Sequence, residues 1–255
     1  MFEKFSTQKM LIGVLAFGIW LPAMVGAQSL EYSGSLSISD SSINDGGTDG
    51  SVRRVTALTD LGLGSRFGLT LGLSYTDENY DNENYGVYKG GYVQPYVRVG
   101  NGRIGVFYQN LGMQRSGDDP DTVEIYGIEG IYDFDRFRVH GFNGRVEQPG
   151  EDGYGVHGLA ARYMASDGVS IFVRHQRDRN SGDQFSLTAI GTDINVSAIT
   201  FDRPAYLTLE LADVDYFGDD GKQFGVALTL PFGRDASVNS VPLFKGQRTL
   251  INEYN

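Results

Sequence analysis

The sequence predicts an all-β protein, an up-and-down antiparallel transmembrane β-barrel of about twelve strands with long extracellular loops and short periplasmic turns. Three observations predict this fold class. The N-terminus has the pattern of a secretory signal, hydrophobic residues in the rest of the chain recur with a period of two, and long and short connections alternate along the chain. Together they favour strands over helices as the elements that cross a membrane.

The first 27 residues are predicted to be a cleaved signal peptide. Lys4 and Lys9 precede an apolar run from Met10 to Ala27, and Val25-Gly26-Ala27 supplies small residues for a signal peptidase. The alternative is a membrane anchor, because the run is close to the roughly 18–20 residues that a spanning helix needs. Pro22 weakens such a helix. The predicted organisation is a signal peptide at 1–27, a transmembrane β-barrel at 28–233 and a C-terminal tail at 234–255.

Hydrophobic residues after Leu30 alternate with small or polar ones. In 67–76, for example, Phe, Leu and Tyr alternate with Gly, Thr and Ser. This alternation gives a strand one apolar face and one more polar face. Most candidates are close to the roughly 9–11 residues that a tilted strand needs to cross a bilayer. The candidates are 29–39, 51–63, 66–76, 86–98, 102–112, 122–133, 136–146, 154–164, 168–178, a poorly defined strand within 184–202, 205–215 and 222–232.

The connections between these candidates alternate in length. Short turns are predicted at Gly64-Ser65, Asn101-Gly102, Phe134-Asp135 and Asp167-Gly168, where Gly, Asn and Asp tolerate the positive φ of tight hairpins. In an up-and-down barrel this alternation puts all short turns at one rim and all long loops at the other, whereas the crossings of a β-sandwich break it. The long links are 40–50, 77–85, 113–121, 147–153, 179–183 and 216–221.

Charge and composition exclude several classes of function. The net charge of -11 leaves no basic stripe for the phosphates of nucleic acid. Acidic residues concentrate in the long links, where they are expected to be solvated, and none has the spacing of a calcium loop. The chain has no cysteine, and it contains no zinc spacing, phosphate-binding glycine loop or nucleophile elbow. No cofactor or metal is therefore expected.

Aromatic residues recur near the ends of the predicted strands. Such positions suit girdles at the two membrane interfaces of a barrel, although strand propensity alone also favours Tyr and Phe. The residues in question are Tyr32, Phe67, Tyr75, Tyr88, Tyr132, Phe137, Tyr154, Tyr163, Tyr206, Phe224 and Phe232.

Three short segments resemble outer-membrane proteins. The last predicted strand, Gln223–Phe232, resembles the signal that the barrel assembly machinery reads on terminal strands, although 23 residues follow its final aromatic residue. The segments Leu30–Leu36 and Asn101–Val106 are similar to porins of α-proteobacteria. The resemblance implies a location in the cell outer membrane of a Gram-negative bacterium and a role as a porin. The expected partners are outer-membrane lipid and lipopolysaccharide, the barrel assembly machinery and small hydrophilic solutes, with a homo-oligomer left open.

Assigning the apolar faces to lipid directs the other face of each strand into the lumen. Inward charges are costly unless they meet water or each other. They would therefore either pair across the barrel and plug it or line a water-filled passage. Small inward residues at Gly68, Gly72, Gly225 and Ala227 favour a passage. The residues predicted to line the pore and set its selectivity are Arg54, Asp60, Arg98, Arg103, Arg138, Arg174 and Glu210.

These features predict a porin-like channel for passive diffusion of small hydrophilic solutes or ions. One alternative is a lipid-modifying enzyme that uses His140, with His157 on the next strand as a potential neighbour. No serine occupies the position of a nucleophile, and a base alone does not catalyse acyl transfer, so the chain is expected not to be an enzyme. The other alternative is a closed structural or adhesive barrel. The tail at 234–255 could dangle, enter the lumen or pair as another strand.

Overall fold

The computed structural model describes the chain from Glu31 to Phe244 with short gaps. The described residues are 31–44, 49–80, 83–115, 121–148, 152–180, 183–200, 203–216, 219–234 and 236–244. The predicted signal peptide and the tail beyond 244 lie outside them. The twelve strands are β1 Glu31–Asn44, β2 Asp49–Leu63, β3 Phe67–Tyr80, β4 Glu83–Val99, β5 Gly102–Arg115, β6 Asp121–Phe134, β7 Phe137–Glu147, β8 Tyr154–Ser166, β9 Val169–Asn180, β10 Asp183–Asn195, β11 Tyr206–Tyr216 and β12 Asp219–Gly233.

Each strand pairs antiparallel with the next one in sequence, and β12 pairs with β1 to close the barrel. The closing register runs from Ser33 opposite Gly233 to Asn44 opposite Lys222. Closure pairs the backbone groups that an open sheet would leave at its edges, which lipid requires. The predicted fold class and strand number are confirmed. In the part of the chain that the structure describes, no helix is long and apolar enough to cross a membrane.

Four tight turns lie at one end of the barrel, where β1 begins and β12 ends. Gly64, Gly100 and Asp135 adopt φ values of 71°, 57° and 48°, the left-handed region that Gly and Asp tolerate. These turns are the predicted short ones, so this end is called the periplasmic end and the opposite end the extracellular end. The fifth connection at the periplasmic end, between β10 and β11, is longer and contains the 3-10 helix Ser197–Ile199.

The strands extend beyond the predicted candidates at the extracellular end. β3 continues to Tyr80 and β4 begins at Glu83, so most of the predicted link 77–85 is strand. The same holds for β9 and β10, which reach Asn180 and Asp183. Continued pairing satisfies the backbone groups of these hairpins, and this explains why strands of up to 17 residues exceed the roughly 9–11 that a bilayer requires.

The outer face of the barrel is apolar. Alternate residues of each strand are exposed, as in β5 with Ile104 and Val106 and in β9 with Ile171 and Val173. At the periplasmic end, exposed aromatic rings form contacting pairs, such as Phe137 with Tyr163 at 4.7 Å between centroids. An apolar belt with aromatic residues at its edge is typical of barrels that span a lipid bilayer.

Three of the aromatic residues predicted for the girdles do not face lipid. Tyr88, Tyr154 and Tyr206 are buried on the inward phase of β4, β8 and β11, and for them the prediction is wrong. Because every strand of a barrel has two faces, a position near a strand end does not specify which face a residue occupies.

Candidate functional site

The lumen contains all seven residues that the sequence predicted for it. Arg54, Arg174 and Glu210 are buried there, and the others are partly exposed. The Nε atom of Arg54 on β2 donates to the Thr76 hydroxyl on β3 at 3.0 Å. The Nη1 atom of Arg98 lies at the periplasmic rim, 3.4 Å from the Gly64 carbonyl oxygen. The remaining five residues join three groups of contacts at different depths.

Asp60 is the centre of the first group, which joins β2, β3, β4 and β5. Its carboxylate accepts hydrogen bonds from the Tyr96 hydroxyl, from Arg103 Nη1 and from the Thr70 hydroxyl at 3.3 Å. The Arg103 guanidinium also lies 4.8 Å from the centre of the Tyr96 ring, which is a favourable cation–π distance. The Asp60 charge is therefore neutralised by an arginine from a strand three positions away along the wall.

Arg174 and Glu210 form the second group, across β9 and β11. Arg174 Nε and Nη2 each donate to one Glu210 oxygen at 3.0 Å, the bidentate geometry that fixes an arginine most firmly. Both side chains are buried, with relative exposures of 6% and 2%. Removal of either partner of such a buried pair would leave the other charge buried and uncompensated.

The third group holds a tail segment, defined as residues 236–244, inside the lumen. Arg138 binds the Asp133 carboxylate through Nε at 2.6 Å and Nη2 at 2.8 Å, and its Nη1 donates to the carbonyl oxygen of Asn239. Arg162 Nη1 donates to the carbonyl oxygens of Val238 and Val241 at 2.7 and 3.1 Å. Two arginines of the wall thus hold the backbone of the tail segment.

Arg162 is itself fixed by a carboxylate that the sequence analysis did not single out. Its Nη2 lies 3.1 Å from Oδ2 of Asp193 on β10, and both side chains are almost fully buried. Asp193 also accepts hydrogen bonds from the hydroxyls of Ser170 at 2.8 Å and Thr208 at 2.7 Å. Four neighbouring strands therefore contribute to one polar cluster beneath the tail segment.

His140 pairs with a second carboxylate that the sequence analysis missed. Its Nε2 lies 2.7 Å from Oε1 of Glu129, and the Tyr92 hydroxyl donates to Oε2 of Glu129 at 3.1 Å. The other predicted histidine, His157, belongs to the outward phase of β8 and is paired in register with Asn143. The expectation that His157 could neighbour His140 is wrong, because the two residues lie on opposite faces of the wall.

In the extracellular half of the lumen, apolar side chains from the wall pack beside buried polar ones such as Glu78, Asp178 and Gln176. Leu111, Val123, Ile125 and Leu187 are fully buried there, and they belong to one continuous cluster. This apolar cluster reaches the tail segment through Leu243 and Phe244. The other members include Tyr88, Tyr92, Phe107, Met113, Phe142, Val146, Tyr154, Val156, Phe172, Phe185, Ala189, Ala212 and Val214.

The small inward residues do not widen the lumen as predicted at Gly68 and Gly72. A Cβ added to Gly68 would lie 2.1 Å from the Tyr96 ring, and one added to Gly72 would lie 2.7 Å from Leu58 and 3.2 Å from Tyr92. Each glycine therefore accommodates a large side chain from a neighbouring strand. Small residues in a barrel make room for solvent only where no neighbouring side chain takes the space.

A row of serines lines the inward face of β1. This serine row is Ser33, Ser35, Ser37, Ser39 and Ser41, at every second position and all on the inward phase. The Ser37 hydroxyl is 3.0 Å from the hydroxyl of Thr229 on the neighbouring strand β12. The eight steps from Ser33 to Ser41 rise about 26 Å along the strand, close to the roughly 30 Å of a hydrocarbon core.

A cavity of about 410 Å³ occupies the periplasmic half of the lumen. It is bounded by the Asp60 group, by the Glu129–His140 pair and by the tail segment, and it reaches the rim at the turn 100–102. Its lining thus carries charges of both signs, which suits water and small polar solutes. Among the described residues, no group of three or more His, Asp or Glu side chains could hold a metal ion.

The fold is similar to that of solved outer-membrane proteins. An outer membrane channel from Pseudomonas putida F1 is 11% identical, and the match covers 81% of this chain and 97% of that chain with a TM-score of 0.60. The KdgM porin in complex with disordered oligogalacturonate is 10% identical, with 78% and 99% covered and a TM-score of 0.56. No protein-family model matches the chain, and no curated protein shows significant similarity to it.

At these identities the likeness shows the fold alone. The closed barrel and its apolar outer face both indicate a membrane-spanning protein, because a closed barrel is the form in which strands span a membrane. The chain is a transmembrane β-barrel of the outer-membrane type, as predicted.

Proposed function

We propose that the protein is a porin-like channel for passive diffusion of small hydrophilic solutes or ions across the outer membrane. The observation that carries this proposal is the serine row. Hydroxyl groups at every second position of β1 place a continuous polar strip on the inward face, where a dry core favours apolar side chains. A row of about 26 Å is of use where water or polar solutes pass along it.

The described conformation represents a closed or narrow state of this channel. The tail segment occupies part of the periplasmic half, and the apolar cluster occupies the extracellular half on the side of β4 to β11. Val241 and Pro242 of the tail segment face Ser37 and Ser39 across a gap of only about 20 Å³. A passage along the serine row therefore requires movement of the tail segment, of the side chains above it, or of both.

Selectivity is proposed to come from the charged residues of the lumen. Arg103 is paired with Asp60 and Arg174 with Glu210, so a permeating ion meets neutralised pairs rather than a field of one sign. Arg98 at the rim is less completely compensated, since Glu31 Oε2 is 3.9 Å from its Nη1. We expect weak selectivity between anions and cations. The residues assigned to this role are Arg54, Asp60, Arg98, Arg103, Arg138, Arg174 and Glu210.

Planar-bilayer recording and liposome swelling test the channel role. Refolded protein whose gel mobility shifts on boiling is reconstituted, and discrete conductance steps and uptake of small sugars are expected. Swelling rates should fall as sugar size rises, which separates a channel from a leak. Folded, inserted protein that shows neither conductance steps nor swelling under any condition would refute the proposal.

The apolar cluster favours a second candidate, a closed structural barrel. A lumen filled by packed Leu, Ile, Val and Phe side chains does not hydrate readily. This candidate predicts a folded, inserted protein that is electrically silent under all conditions, so the same recording distinguishes the two functions.

We propose no enzymatic role. His140 is only 7% exposed, its Nε2 contacts Glu129, and the Phe244 ring lies against it at 4.8 Å. Lipid hydrolysis or deacylation that is present in the folded protein and lost in His140→Ala would contradict this view.

A further inference from the structure

The route of the chain after β12 leads back into the lumen. Gly233 adopts φ 87°, and a Cβ at this position would lie 2.3 Å from the Tyr32 carbonyl oxygen. The next residue, Arg234, donates its backbone N–H to the same Tyr32 oxygen at 3.0 Å. This glycine-dependent reversal at the rim ends the strand and directs the following residues toward the barrel axis.

The wall presents a site that matches the backbone of the tail segment. Arg162 and Arg138 are each held by a wall carboxylate. Nη1 of Arg162 donates to the carbonyl oxygens of Val238 and Val241, and Nη1 of Arg138 donates to that of Asn239. These contacts hold main chain rather than particular side chains. Since the periplasmic half of the lumen contains a cavity that reaches the rim, water can replace the carbonyls, and the bonds can exchange at small net cost.

The end of the tail segment is anchored by apolar contacts. Leu243 and Phe244 are 4% and 1% exposed, and the Phe244 ring packs edge-on against Phe142 at 4.9 Å. A Cβ on Gly158 would lie 2.7 Å from the Phe244 ring, so the missing side chain of Gly158 makes room for it. Apolar burial therefore holds the end of the segment, and a charge introduced there would oppose it.

We propose that the tail segment is a displaceable plug, whose release uncovers the serine row and raises conductance. This inference rests on the proposed channel function. The plug lies directly against the row, because Val241 and Pro242 line the same narrow gap as Ser37, Ser39 and Thr56. The segment belongs to no strand and contributes no residue to the barrel wall, so it can leave while the wall remains closed.

The test combines two measurements on the full-length chain. Leu243→Asp places a charge in the apolar cluster and should expel the plug, whereas Ser65→Asp adds the same charge at an exposed periplasmic turn as a matched control. We expect several-fold higher mean conductance for Leu243→Asp and no change for Ser65→Asp. Phe244→Ala, a milder change, serves as a second variant if Leu243→Asp does not fold, and folding of each variant is checked by gel mobility.

The position of the plug is measured separately by thiol labelling. The chain has no cysteine, so Val241→Cys introduces a single thiol that should react much more slowly with a water-soluble maleimide in the folded protein than in denaturant. Addition of Leu243→Asp should restore fast labelling, and addition of Ser65→Asp should not.

Three results would overturn the inference. Fast labelling of folded Val241→Cys would show that the segment is not docked. If the wild type conducts and Leu243→Asp is labelled faster without any change in conductance, the plug is refuted but the channel function is not. Faster labelling without conductance in any form would refute the channel itself, and the plug with it.

Discussion

The two halves of the lumen are filled in different ways. In the extracellular half, wall side chains such as Leu111 and Ile125 pack against each other at zero exposure. In the periplasmic half, ion pairs, a cavity of about 410 Å³ and the tail segment share the space. The apolar side chains of the extracellular half pack stably only when dry, whereas the charged groups of the periplasmic half can be satisfied by protein or by water. The periplasmic half is therefore where this barrel can change its state at low cost.

The largest effect is expected from loss of the buried charge that holds the tail segment. Arg162→Met removes a guanidinium that binds Asp193 at 3.1 Å and two tail carbonyls, and leaves the Asp193 carboxylate without it. Breaking a buried pair from one side costs about 3–5 kcal/mol. The free energy of unfolding, measured by circular dichroism in urea with protein in vesicles, should fall by that amount.

A matched control for this change lies on the outside of the barrel. Arg53 is paired with Asp40 at 3.2 Å, but both side chains are more than half exposed. Arg53→Met should change the free energy of unfolding by at most about 1 kcal/mol. Equal losses for Arg162→Met and Arg53→Met would show that the Arg162 cluster contributes no more than a surface pair.

The next effect tests whether the extracellular half is a packed core. Leu111→Ala should reduce the free energy of unfolding by roughly 2–5 kcal/mol, because it leaves a cavity where the side chain was fully buried. Leu211→Ala is the matched control, since Leu211 is 60% exposed on the outer face and its loss leaves no cavity. If both variants lose the same stability, the apolar cluster is not packed like a protein interior.

The wall of the barrel was predictable because lipid imposes one rule on every strand. Outward residues must be apolar, so the alternation in 67–76 and 222–232 reveals both the strand and its orientation. In β8 this rule does not distinguish the inward face of the strand from the outward face. Val156 and Ala160 on one face are as apolar as Leu159 and Ala161 on the other, and the inward position of Arg162 could not be chosen from the pattern.

The contents of the lumen were less predictable for a related physical reason. The seven charged residues lie on the inward phase of their strands, since charge is excluded from the lipid face, but their partners depend on register and depth. Glu129 and Asp193 become partners of His140 and Arg162 only after the strands are aligned. The tail segment follows no strand period at all, so only the three-dimensional arrangement of the arginines reveals where it docks.

A smaller effect tests how the glycines of the lumen are used. Gly68→Ala would place a Cβ within 2.1 Å of the Tyr96 ring and push its hydroxyl away from Asp60. Overpacking of this kind costs about 1–3 kcal/mol. Gly91→Ala is the control, because a Cβ there meets nothing within 4 Å. Indistinguishable unfolding curves for the two variants would mean that Gly68 is not required by the packing of Tyr96.

The smallest effect concerns the charge balance of the periplasmic half. Asp60→Asn removes a carboxylate that neutralises Arg103 and leaves the cavity with excess positive charge. At ~10 Å a unit charge contributes roughly 0.4 kcal/mol in water, favourable for an anion and unfavourable for a cation. The two effects together correspond to about a fourfold change in the permeability ratio in favour of anions. The reversal potential in a potassium chloride gradient measures this ratio. Asp40→Asn, on the exposed outer face, should leave the permeability ratio unchanged. An equal shift in both variants would show that the charges of the lumen do not set the selectivity.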